Sequence, residues 1–207
     1  DISVPGQPPF QPSVGKYTDN YALLISSSKA FSYAGERMGV LVLSDKLCES
    51  RFPDLIPYFG TDHLGRAIIY GAVYAISSGT SHSAQYALAA ILKACNDGSY
   101  NYLDDVKEYA EKAAIMKKMF TDNGFVIVYD KDGSKALADG FYFTISYPGL
   151  DGEELLKELL YYGISAISLV ITGSEHTEGL RACVSLVNRN QFPALKSRLE
   201  IFHENHS

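Results

Sequence analysis

The sequence predicts an α/β chain in two parts: a first segment built on a mostly parallel sheet, and a small α+β domain behind it. Three observations carry that prediction. Two short, unbroken apolar runs, Tyr21–Ile25 and Val40–Leu43, suit strands covered on both faces, as parallel strands are. A helical pattern then dominates from Leu47 to Asp122. After Gly124, strand-like and helix-like segments alternate. The expected boundaries are 1–102 for the first part, a connecting long helix over 103–123, and 124–207 for the small α+β domain.

Residues 1–20 hold Pro5, Pro8, Pro9 and Pro12, so they read as an extended lead-in, because proline fixes φ and lacks a donor. The first apolar run stops at Ser26-Ser27-Ser28-Lys29, and a loop with Gly35, Arg37 and Gly39 leads to the second. Helices are expected over 66–77, from Ser83 to about Ala94, and from Leu103 to Asp122. The last shows apolar positions three and four residues apart, and Asn123-Gly124 closes it. Beyond it, Phe125–Val128, Gly140–Ser146, Ile164–Ile171 and Arg181–Val187 read as strands. Helices over Gly152–Tyr162 and Phe192–Asn205 are interleaved with them.

Composition excludes several function classes. The 207 residues are 46% hydrophobic and 20% charged, which excludes bulk disorder. No apolar run approaches the roughly 18 residues of a membrane helix. The net charge is −6 and the Lys and Arg residues are scattered, so no nucleic-acid partner is expected. Cys48, Cys95 and Cys183 are odd in number and far apart, which points to a reducing cytoplasm and not to a disulfide framework. A chain that opens at Asp1 reads as processed or as a piece of something longer. His203 and His206 have no third ligand beside them, so no metal is expected. His63, His82 and His176 form no triad.

The chemistry concentrates in residues 26–39. A lysine just after an apolar strand sits where open α/β sheets bind ligands. Lysine amines condense with aldehydes, and arginine offers a planar fork of donors that suits phosphate. Lys29, Arg37 and the neighbouring hydroxyls therefore suit a phosphorylated aldehyde, against the plainer alternative of two solvated cations in a surface loop.

Ser26, Lys29, Gly35, Arg37 and Gly39 match the pattern S-x-x-K…G-x-R-x-G without a gap. With the elbow Ser77–Gln85 and the strand Gly179–Ala182, the sequence resembles the C-terminal half of a pyridoxal-phosphate-dependent class I/II aminotransferase of fold type I. The resemblance implies pyridoxal 5'-phosphate as cofactor, with Lys29 as the catalytic residue that joins it through a Schiff base. It implies Ser26, Ser28 and Arg37 at the phosphate, Ser78 or Thr80 at the phosphate of a partner subunit in a homodimer, and Arg181 on the substrate carboxylate. An amino acid and a 2-oxo acid would be the substrates. The first part would be the C-terminal portion of the large cofactor domain, and a missing N-terminal half would supply the remaining cofactor contacts. Neither Asp1 nor Asp19 suits the carboxylate that such enzymes place at the pyridine nitrogen, so the chain alone is expected to be inactive. A β-lyase, a decarboxylase, or a non-catalytic assembly module of the same fold are the alternatives.

Overall fold

The computed structural model describes residues 13–137 and 140–207. Most of the expected proline-rich lead-in, and Asp1 with it, lies outside the described residues. The chain divides into two compact units, the first ending at Leu103 and the second running Asp104–Ser207.

In the first unit, β1 (Ala22–Ser26) leads directly into the one-turn helix α1 (Ser27–Ala30). Strand β2 (Gly39–Leu43) then pairs antiparallel with β1, in a register that sets Ser26 opposite Gly39. Here the expectation fails. The two apolar runs form an antiparallel ribbon, not buried parallel strands, and Leu24 is 80% exposed. An apolar run records a tendency to be covered, and no further strand flanks this ribbon among the described residues. Short helices α2 (Asp45–Cys48) and α3 (Ile56–Phe59) follow. The helix expected over 66–77 forms as α4 (Leu64–Arg66), a π-helical stretch Ala67–Val73, and α5 (Tyr74–Ser77). Helix α6 (His82–Asp97) buries only Ala84 and Leu88, while Ile76 and Tyr86 are 88% and 77% exposed.

Helix α7 (Tyr102–Asp122) carries the chain into the second unit. Asn101 accepts from the Leu103 amide, and Asp104 and Asp105 complement the positive end of the helix dipole. The helix stops where Gly124 turns left-handed (φ +83°), with the His203 ring where a Cβ would stand. Strands β3 (Val126–Ile127), β6 (Tyr142–Ser146), β8 (Leu180–Cys183) and β7 (Ile167–Ser168) form a four-stranded antiparallel sheet in the order β3-β6-β8-β7. A small hairpin of β4 (Lys131–Asp132) and β5 (Lys135–Ala136) stands apart from it. Helix α8 (Gly152–Tyr161) starts at a capping box in which Asp151 accepts from the Glu153 and Glu154 amides at 2.9 and 2.8 Å. Helix α9 (Phe192–His206) ends the chain.

The core of this unit joins Ala113, Met116 and Phe120 of α7, Phe143 and Ile145 of β6, Leu155 and Leu159 of α8, Leu180 and Ala182 of β8, and Leu199 and Phe202 of α9. Strand alternation sorts the sheet. Phe143, Ile145, Leu180 and Ala182 point into this core, whereas Tyr142, Thr144 and Arg181 point to the opposite face. His203 and His206 are used in packing. His203 Nδ1 lies 2.9 Å from the Tyr147 hydroxyl, and His206 stacks on Phe202 with its Nε2 3.4 Å from Glu158.

Candidate functional site

Ser26, Ser28, Lys29 and Arg37 all lie on the connection from β1 to β2 or at its start, so the hairpin itself gathers them at one end of the ribbon. The connection is closed by a residue that sequence inspection passed over. Ser27 is 1% exposed; its hydroxyl donates to the Met38 carbonyl, and its amide donates to the same oxygen at 3.3 Å. Ser27 O in turn accepts from the Phe31 and Tyr33 amides, each at 3.2 Å. The three serines thus divide their work. Ser26 caps α1 by accepting from the Ser28 amide at 3.4 Å and keeps its own O–H to donate, Ser27 closes the loop, and Ser28 is half-buried. In a run of three identical residues, the turn from β1 into α1 and the Met38 carbonyl decide that Ser27 is the one that faces inward.

Lys29 is the third residue of α1 and is exposed, as is Arg37. Arg37 donates from Nη1 to the Ala34 carbonyl at 2.9 Å, which leaves its Nε and Nη2 donors without an acceptor among the described residues. Its backbone is left-handed (φ 53°). Among the described residues, Ser32, Arg37 and Ser78 are the non-glycine positions with positive φ. Two of the three are candidate site residues, and Ser32 sits between Lys29 and Arg37. Such a conformation costs about 1–2 kcal/mol for an L-residue, and strain of this kind concentrates at functional sites.

The elbow lies next to this loop. Met38 and Gly39 line the same cleft of about 360 Å³ as Thr80 and Gln85. Gln85 Nε2 donates to the Thr80 carbonyl at 3.2 Å, and the Ser78 amide donates to the Tyr74 carbonyl at 2.7 Å.

Arg181 belongs to the second unit, where it lies opposite Thr144 of β6 and Ile167 of β7. Its guanidinium sits 4.2 Å from the centre of the Tyr142 ring, a contact that no sequence spacing announced. Its Nε is buried and has no hydrogen-bond partner among the described residues. A buried donor without an acceptor is costly, about 1–3 kcal/mol. The loop before β8 is tied down. Tyr129 OH lies 2.6 Å from Ser174 Oγ, and His176 Nδ1 lies 2.9 Å from Glu178 Oε1. The Glu178 carboxyl is held below its usual value, first by its own backbone amide and then by His176.

A model of the aminotransferase class I and II family matches residues 3–199. The chain belongs to that family. None of the curated proteins compared with it matches. Solved aminotransferases share its fold. The alanine aminotransferase of Pyrococcus furiosus is 19% identical with a TM-score of 0.67, over 95% of this chain and 46% of that one. The aspartate aminotransferase of Thermotoga maritima is 16% identical with a TM-score of 0.65, over 94% and 44%. LysN, the α-aminoadipate aminotransferase of Thermus thermophilus, solved with N-(5'-phosphopyridoxyl)-L-leucine, is 18% identical with a TM-score of 0.61, over 89% and 42%. The chain therefore spans less than half the length of these relatives. No helix among the described residues is long and apolar enough to cross a membrane.

Proposed function

We propose that this chain is the C-terminal half of a pyridoxal-phosphate-dependent aminotransferase that moves an amino group between an amino acid and a 2-oxo acid. The observation that carries this reading is the β1–β2 connection. It sets a lysine amine, a serine hydroxyl and an arginine fork in one loop and closes that loop through Ser27 and Met38. Those groups fit the cofactor: two phosphate donors flank an amine, and the unengaged nitrogens of Arg37 suit an anion.

When bound, pyridoxal 5'-phosphate supplies an aldehyde that captures amines and a ring that takes up the electron pair released at the substrate carbon. Lys29 would hold the group and, once displaced by substrate, carry a proton at Nζ to and from the substrate Cα. Ser26 and Arg37 would hold the phosphate, with Ser28 beside them. Arg181 would take the substrate α-carboxylate, giving its buried Nε–H the acceptor it lacks among the described residues, and so fix the direction of the Cα–H bond.

The remaining half would complete the picture. Its strands would join the β1–β2 ribbon in a mostly parallel sheet and cover Leu24 and its neighbours. A homodimer would bring Ser78 and Thr80 to the phosphate of the partner subunit. The cytoplasm suits three cysteines that form no disulfide among the described residues.

The test uses the complete protein loaded with cofactor. Borohydride reduction is expected to fix the cofactor on the peptide that holds Lys29, and Lys29→Ala is expected to abolish turnover. A Lys29→Ala protein with wild-type amino-group transfer overturns the assignment.

A further inference from the structure

Arg181 and Ala182 are successive residues of β8 and point to opposite faces of the sheet. On the Ala182 side the packing is incomplete. Met116 and Phe120 of α7, Ile145 and Ala182 of the sheet, and Leu195 of α9 line a partly open cavity of about 220 Å³, with Gln191 and Arg198 at its exposed rim. It exceeds the roughly 150 Å³ at which an apolar cavity accepts benzene. A branched aliphatic or phenyl group therefore fits its volume.

The polar groups at the opening select the rest of the ligand. Arg198 is exposed and donates from Nη1 to the Gly163 carbonyl at 2.9 Å, and it has no carboxylate partner among the described residues. Gln191 also lines the cavity, and its Oε1 is occupied by the Asn188 amide at 2.8 Å, so its amide nitrogen is the end left to bind. The opening thus presents a cation and donors above an apolar chamber. This combination favours an anion with a greasy body over a neutral or cationic ligand.

We propose that this cavity is a binding site for a small apolar carboxylate, with its branched or phenyl body inside and its carboxylate on Arg198. The site is separate from the one assigned to Arg181, because the sheet stands between them, and it does not depend on amino-group transfer. The test is calorimetric and ligand-observed NMR titration of the full chain with 4-methylpentanoate and with the uncharged 4-methylpentan-1-ol. Saturable binding of the carboxylate is expected. Arg198→Gln should weaken it about tenfold, and the alcohol should bind the wild type about tenfold less well, as expected for one charge-assisted contact. Leu195→Trp, which fills the chamber, should remove binding of both. Because a bulky replacement can disturb folding, the Arg198→Gln result at an exposed position stands as an independent arm. Absence of saturation in the wild type, or unchanged affinity in Arg198→Gln, overturns the proposal. So does loss of binding in Arg181→Gln, since that result would put the ligand on the other face of the sheet.

Discussion

Gly152 opens α8, and its amide donates to the Thr177 carbonyl at 3.1 Å, which ties the helix to the loop that feeds β8 and Arg181. A Cβ at this position would press inside contact distance of that same carbonyl oxygen and stand 3.1 Å from the Gly179 oxygen. Both obstacles are backbone atoms, and Gly179 O is itself held by the Leu169 amide at 3.0 Å, so neither can swing aside as a side chain would. Gly152→Ala must therefore lift the helix off the loop by on the order of 1 Å, since ordinary C···O contacts need about 3.3 Å. Overpacking of this kind costs about 1–3 kcal/mol, and the lost hydrogen bond adds about 1 kcal/mol. Alanine recovers roughly 0.4–1 kcal/mol by restricting the unfolded chain. The net loss is about 1–3 kcal/mol, or on the order of 1 M in urea midpoint for a slope of about 1–3 kcal/mol/M. Urea unfolding followed by circular dichroism measures it, with Gly140→Ala as the control, because nothing among the described residues lies within 4 Å of a Cβ there. If the two variants unfold at the same midpoint, the close approach of α8 to this loop is wrong.

Three further outcomes are expected. Arg181→Gln in the complete, loaded enzyme should raise KM for carboxylate substrates about 10- to 100-fold with a smaller effect on kcat, the worth of one charge-assisted pair; an unchanged KM removes Arg181 from the substrate. Ser27→Ala removes one hydrogen bond of about 1 kcal/mol, so cofactor dissociation monitored by absorbance should become about fivefold easier, while Ser28→Ala should leave the loop closed. If the two variants behave alike, Ser27 does not position Lys29. The third concerns pH. Arg189 grips Glu108 at 2.9 and 2.6 Å and Glu111 at 2.6 Å, and its hydrogen bond holds the Glu108 carboxyl below the usual 4.5. A depressed carboxyl adds stability above its unfolded value and loses it as pH falls through the folded one. Glu108→Gln should therefore be less stable than wild type at neutral pH, with a gap that closes in acid below about 4.5; a gap unchanged in strong acid rules the ion pair out as its cause.

Local chemistry was legible in the residues themselves. The helix expected over Gly152–Tyr162 forms as α8, and its start is fixed locally by the Asp151–Glu154 capping box that the structure shows. Asn123-Gly124 likewise stops α7. Lys29 and Arg37 announce themselves because they flank a short loop between two apolar runs, and the loop forms as an antiparallel hairpin connection. The four strands of the second unit were readable as segments, and their order β3-β6-β8-β7 was not, since pairing is a choice among distant partners.

What the sequence by itself determined is thus short-range: where helices and strands arise and how helices such as α7 and α8 begin or end. The strand expected over Ile164–Ile171, by contrast, keeps only Ile167–Ser168 before a 3-10 turn, and the one expected over Arg181–Val187 ends at Cys183. Only the tertiary structure decided which side chains are covered and what they touch. Lys112 looks like a solvated charge on α7, yet it is 5% exposed because Ser185, 73 residues on, brings its carbonyl to within 3.4 Å of Nζ. Leu24 and Ile25 look like core and stand exposed, because covering them requires strands that the described residues do not contain. Ser27 closes the lysine loop through Met38, just beyond the last strand pair, and Tyr142 underlies Arg181 through register across the sheet. Propensity, capping and periodicity act over a few residues along the chain; burial and pairing depend on neighbours that only folding supplies.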